Sequence, residues 1–351
     1  MSKIDIQQFT QLHTPYKLDR PVLSGSGVEG HFDSQAVDCP FVFAHQDCFY
    51  MMYVGFDGTG YQTALATSSN LLKWEHKAII LPRLSTDARW DHVGAAGSWM
   101  LLESNGLYDL PRLKKINNRY WMMYHAYPEK GYEAGGAVMG LAWTEDENLL
   151  EWHRLDQPVF TNKDGADWEK AGLYKCCVIE HEEKYWMFYN AKRDDEWPWK
   201  EETGIAFSND LIHWERYENN PVFAVKEGSF YSQFFSDPCI KYDGRQWVNF
   251  AFGFDCNHAQ SALAVSDDLT DWRCGEEPLI SYGEQGELDE IHAHKSSVIY
   301  WNGVLYHFYC ACRNYKPGDL TKLKIFEGQY EFRCIAVATS EPITIGEEDI
   351  Q

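Results

Sequence analysis

A strand phrase that recurs five times, aromatic residues spread along the chain, and no helical periodicity together predict an all-β fold. The expected architecture is a five-bladed β-propeller in a single domain. One part of the phrase reads Ser or Thr, an acidic or amide residue, Leu, two residues, then Trp. It occurs at Ser68 to Trp74, Thr144 to Trp152, Ser208 to Trp214 and Ser266 to Trp272, and closes truncated at Ala338-Thr339-Ser340. Ahead of each copy stands an aromatic strand: Phe49-Tyr50-Met51-Met52-Tyr53, Tyr120-Trp121-Met122-Met123-Tyr124, Tyr185-Trp186-Met187-Phe188-Tyr189, Trp247-Val248-Asn249-Phe250 and Leu305-Tyr306-His307-Phe308-Tyr309. A third element precedes each of these by a hairpin: Pro40-Phe41-Val42-Phe43, Pro111-Arg112-Leu113, Cys177-Val178-Ile179, Pro238-Cys239-Ile240 and Ser297-Val298-Ile299. Turns such as Tyr242-Asp243-Gly244 and Trp301-Asn302-Gly303 suit tight hairpins. Each unit is therefore a meander of at least three strands. The repeated Trp residues are expected to pack between blades. Residues 1–30 are expected to be an extension packing on a propeller of residues 31–351.

Composition narrows the function classes. Lys+Arg 31 against Asp+Glu 53 gives a formal charge of -22, which excludes a nucleic-acid or anionic-membrane partner as the expectation. Trp 14, Tyr 21 and Phe 19 exclude disorder. Met1 to Arg20 has no apolar run, so no signal peptide is expected, and no stretch is long and apolar enough for a membrane helix. The 10 cysteines sit mostly in apolar runs without a zinc spacing, which suits reduced core residues of a cytoplasmic protein.

Pseudo-fivefold symmetry brings equivalent positions of the innermost strands together around the axis. Aligned on the aromatic strand, these are Asp38, Asp109, Tyr174 or Lys175, Asp237 and His294. Carboxylates that converge cannot all ionise at low cost, so their pKa values are forced apart. Cleavage of a sugar bond uses that separation: one group activates water while another donates a proton to the leaving oxygen.

The Ser-x-Asp-Leu-x-x-Trp phrase and the acidic-x-Pro openings of inner strands make the chain resemble the five-bladed propeller glycosidases. These are glycoside hydrolase family 43 and the related families 32, 62, 117 and 130, and the resemblance runs from about Asp33 to Pro342. It implies an exo-acting glycoside hydrolase that grips a terminal sugar of an oligosaccharide in an axial funnel, with inversion. By the resemblance Asp38 is the general base and Asp109 the carboxylate that modulates the acid. Blade three reads Gly172-Leu173-Tyr174-Lys175-Cys176 with no Glu where the family keeps its acid, leaving Glu169 and Asp237 as candidates. The resemblance gives His294 two roles, as a holder of an axial calcium or as an acid. Otherwise no cofactor and no metal are expected. Glu290, His292 and His294 alternate onto one strand face, although three ligands on one strand rarely fit one ion. Arg112 and Lys175 motivate the alternative of an inorganic-phosphate-dependent glycoside phosphorylase like those of family 130. Trp90 and His92, on a long loop, are candidates for sugar contact, and the Trp197/Trp199 pair is a candidate contact surface for sugar or for another subunit. The missing blade-three Glu leaves open a sugar-binding propeller without catalysis. The sugar, its linkage and the oligomeric state are not legible.

Overall fold

A computed structural model describes residues 2–195 and 197–343. Five antiparallel meanders follow one another as five blades. Blade one comprises Ala36–His45, Cys48–Phe56, Tyr61–Ser68 and Glu75–Leu81. Blade two comprises Ala96–Met100, Arg119–Ala126, Val138–Thr144 and His153–Arg154. Blade three comprises Gly172–His181, Lys184–Arg193, Lys200–Ser208 and Glu215–Arg216. In blade four the inner strand is split, Phe234–Ser236 then Ile240–Tyr242, and Trp247–Phe254, Ala259–Ser266 and Trp272–Gly275 follow. Blade five comprises His292–Trp301, Val304–Asn314 and Gln329–Thr339. The outer edge of Gln329–Thr339 pairs with Tyr16–Lys17 and Leu23–Ser24, so residues from early in the chain complete the last blade. Ser2–Ile4 pairs in parallel with the outer strand of blade four.

The repeated phrase is a turn that caps the third strand of each blade. Ser208 Oγ accepts from Asp210 N at 3.1 Å and Leu211 N at 2.9 Å. Asp210 Oδ1 in turn accepts from Ile212 N and His213 N, and Trp214 Nε1 donates to the Leu211 carbonyl at 2.9 Å. Ser68, Asn70 and Trp74 repeat these contacts, as do Ser266, Asp268 and Trp272. The Leu of each of the four full copies has left-handed backbone, φ 69 at Leu71, 60 at Leu149, 69 at Leu211 and 71 at Leu269. That conformation costs a non-glycine residue about 1–2 kcal/mol, whereas truncating a buried Leu costs about 2–5 kcal/mol. Leu269 is fully buried, so packing outweighs strain. Leu269→Gly should therefore lower stability by about 2 kcal/mol or more in urea denaturation, despite relieving the backbone. A stabilised variant would reverse that ranking.

A hydroxyl on the third strand ties blades together. Thr63 Oγ1 donates to the Ala95 carbonyl at 2.7 Å, Thr203 Oγ1 to Phe235 at 3.0 Å and Ser261 Oγ to Ala293 at 3.3 Å. Each acceptor lies on or immediately before the next blade's inner strand, so the strand starts are held side by side around the axis.

The inner strand of blade two departs from the sequence expectation. It is Ala96–Met100, and Pro111-Arg112-Leu113 lies on the return of an excursion in which Leu113 pairs with Leu102. The aromatic strand was the alignment anchor, and an insertion between it and the inner strand displaced the match. Asp109 therefore sits exposed at the opposite end of the blades, in a turn where it accepts from Ser104 Oγ at 2.5 Å. It lines a depression with Glu103, Glu180 and Tyr242, far from the strand starts.

Candidate active site

Four inner strands carry the same irregularity near their starts. Cys39 (φ 54), Lys175 (φ 35), Asp237 (φ 54) and Lys295 (φ 61) are all left-handed. The ladder slips there in blades one, three and five, and the blade-four strand breaks there. A bulge re-aims side chains, and strain of this kind collects at functional sites. In blade two the matching residue is Gly97, where a Cβ would stand 2.5 Å from Met52 Sδ. All four bulge residues line one cavity of about 410 Å³ at the strand starts, a volume typical of ligand sites.

Two carboxyl groups from elements that the sequence alignment passed over complete this funnel. Glu201, the second residue of the third strand of blade three, lies two residues before the blade-linking Thr203, as Tyr61 and Ala259 lie before Thr63 and Ser261 in blades one and four. Its Oε1 accepts from Trp199 Nε1 at 2.9 Å, and its Oε2 lies 3.3 Å from Ser236 Oγ. Burial, reinforced by the charge of Glu133, pushes the Glu201 carboxyl up to about 7. Glu133 lies on the loop after the second strand of blade two and accepts from the Tyr61 hydroxyl at 3.2 Å. Lys295 Nζ stands 3.8 Å away. The alignable signal was the Thr or Ser of the third strands, since Gln62-Thr63, Glu202-Thr203 and Gln260-Ser261 are equivalent. Glu133 has no such marker.

The structure brings Asp237, Lys175 and His294 to the funnel, as the symmetry argument required. Asp237 Oδ1 accepts from Asn190 Nδ2 at 2.7 Å, while its buried Oδ2 has no partner among the described residues. Burial raises the Asp237 carboxyl above the ordinary range. Lys175 is 7% exposed and has no ion-pair partner among the described residues. Burial, with Lys295 and Arg333 nearby, holds His294 well below the ordinary histidine value. His125 is held at about 3 and His292 at about 4, both by burial first. A neutral imidazole at pH 7 has no proton of the required acidity to give, which removes His294 as the acid.

Asp38 lies beneath the funnel and does not line it. Lys295 Nζ at 2.6 Å and Arg333 Nη1 at 3.0 Å hold its Oδ2, and Cys39 N at 2.8 Å holds its Oδ1. Burial favours the neutral acid, yet the two cations, Lys295 and Arg333, outweigh it and hold the carboxyl far below its usual range. With both oxygens engaged and 1% exposure, Asp38 anchors Lys295 and Arg333 and has no access to water in the funnel.

The other candidates lie elsewhere. Glu169 is buried against Arg216 (2.8 and 3.0 Å) and the Tyr189 hydroxyl, a structural ion pair under blade three. Trp90 stacks on Tyr124 with centroids 5.7 Å apart, and His92 Nδ1 bonds the Arg89 carbonyl. Arg112 is exposed in the blade-two excursion. Glu290 holds Asn314 and Gly286 N outside the cavity wall. Calcium does not suit the surroundings of His294. The side chains grouped with His294 that could ligate a metal are the Cys310 and Cys312 thiols, 3.9 Å apart, whereas calcium takes hard oxygen ligands.

Residues 102–293 match the model of the glycosyl hydrolases family 32 N-terminal domain, more than half of the chain. A solved structure described as a complex of BT0996 and RGII is 32% identical over 97% of this chain and 96% of that one, with a TM-score of 0.80. A second, described as a glycoside hydrolase, is 31% identical over the same shares, also with a TM-score of 0.80. A 1,2-beta-oligomannan phosphorylase of Thermoanaerobacter sp. (strain X514) is 29% identical over 183 residues. That match spans 51% of this chain and 49% of the relative, about half of each.

Proposed function

The chain belongs to the family defined by the glycosyl hydrolases family 32 N-terminal domain, and on that premise we propose that it is an exo-acting glycoside hydrolase. Its proposed substrate is an oligosaccharide of the RGII kind named with its 32% identical neighbour. The observation that supports this is the Glu133/Glu201 pair: two carboxyls in one cavity whose surroundings differ. Glu201, pushed up to about 7, still holds its proton near neutrality and gives it to the glycosidic oxygen as the C–O bond breaks. Glu133, met by the Tyr61 hydroxyl and Lys295, accepts a proton from the water whose oxygen bonds the anomeric carbon. Protons balance, and inversion is the expected course by the resemblance to family 43. Asp237, which lines the cavity and whose Oδ2 has no partner among the described residues, holds a hydroxyl of the terminal sugar. The ten free cysteines support a cytoplasmic setting.

A second reading has its own observation. Lys175 stands in the funnel wall with no ion-pair partner among the described residues, where inorganic phosphate would meet it in a phosphorylase. Incubating the protein with a broad panel of oligosaccharides, with and without phosphate, separates the two. Free terminal sugar released equally in both arms is the expected result. Sugar 1-phosphate formed only with phosphate would establish phosphorolysis, and tight binding without turnover would establish a sugar-binding protein.

A further inference from the structure

The funnel mouth next to Glu201 is built by Trp197-Pro198-Trp199. Trp199 is fixed on several sides: its Nε1 donates to Glu201 Oε1 at 2.9 Å, and its ring stacks on Phe234 with centroids 5.8 Å apart. Lys192 Nζ stands 4.2 Å from the ring centroid. The Gln233 amide donates to the Pro198 carbonyl at 2.7 Å and to the Trp199 carbonyl. Trp197 leans on Trp199 at 5.1 Å between centroids, yet is 75% exposed, more than any other large apolar side chain among the described residues. Both indoles line the cavity. A proton donor must lie against the glycosidic oxygen, and that oxygen departs with the leaving group. The surface adjoining the donor is therefore where the leaving group rests.

We propose that Trp197 and Trp199 form the subsite for the leaving-group sugar. Trp197 is the platform on which the apolar C–H face of that ring stacks, and Trp199 is a positioning residue that orients the Glu201 carboxyl beside it. The inference rests on the glycosidase reading and adds to it which part of the substrate lies where. Engaging Oε1 with the indole N–H leaves Oε2, which Ser236 Oγ meets at 3.3 Å, to carry the proton that is transferred.

Two measurements test it. The first needs no substrate: the Glu201 carboxyl is titrated by carbon NMR in wild type and Trp199→Phe, which keeps a ring in place but removes the N–H donor. Glu133, Lys192, Tyr174 and Ser236 still face the carboxyl in the variant. Because the lost donor favoured the charged form, the midpoint should rise by about one unit. An unmoved midpoint overturns the positioning role. The second compares a disaccharide with the methyl glycoside of the same terminal sugar, as identified by the panel above. In Trp197→Ala the ratio of their kcat/KM values should fall about tenfold, as expected for one lost stacking contact. Turnover with an unchanged ratio overturns the platform. Absence of wild-type turnover on every glycoside overturns the glycosidase reading instead, while the NMR result still decides the role of Trp199.

Discussion

Glu201→Gln should lower kcat on natural oligosaccharides by about 10²–10⁴-fold, the range by which a positioned general acid accelerates proton transfer. Aryl glycosides with good leaving groups should lose far less, because a phenolate departs without a proton. The pH profile gives an independent check. With its midpoint at about 7, Glu201 loses the proton it must donate as pH rises, so wild-type kcat/KM should fall on the alkaline side of that value. His125 and His294, held low by burial, add no limb there. The glutamine variant should lack the Glu201 limb on aryl substrates. Asp237→Asn should slow both substrate classes alike, as befits a residue that binds the sugar. If Asp237→Asn shows the selective loss and Glu201→Gln does not, the acid is Asp237.

Asp38→Ala should be among the most destabilising single substitutions in the chain. It strips Lys295 and Arg333 of a shared buried counter-ion, and breaking a buried pair typically costs about 3–5 kcal/mol. Arg333 keeps Glu331 at 2.9 Å, and Lys295 keeps only the longer contact with Glu133. The linkage has a definite sign. A carboxyl whose folded-state pKa is depressed stabilises the fold above its unfolded value of about 4, and that contribution is lost as pH falls below it. Urea denaturation should thus show the gap between wild type and variant at its widest near neutrality and shrinking in acid. A gap that stays the same down to low pH would mean that packing, and not charge, made the difference.

The architecture was legible because its signals are local and repeated. Ser208, Asp210, Leu211 and Trp214 make one turn with their own atoms, so their spacing reports it directly. Asp237, Lys175 and His294 were reachable because three strands keep the same distance between bulge and aromatic run. Asp109 failed where that distance changed, since the excursion before Arg119–Ala126 offered a second acidic-x-Pro text at the wrong end of the blade. Asp38 does stand at its strand start. Its isolation from the funnel depends on Lys295 and Arg333, hundreds of residues away, whose reach no spacing encodes. Glu133 stands on a loop outside the repeat, and only the folded ring shows that it faces Glu201.

The pairing of Tyr16–Lys17 with Thr339 and Ala338 has a consequence for how the chain is made. Residues 16–24 leave the ribosome long before the strand they complement exists. Until then Leu18 N and Val22 N lack the Val337 and Ile335 carbonyls that they later find. Blade five correspondingly keeps a bare edge until both segments are available. Such an edge can recruit a strand from another nascent molecule, so the slow, long-range joining of these two distant segments is an interval in which this protein is exposed to exchange between copies.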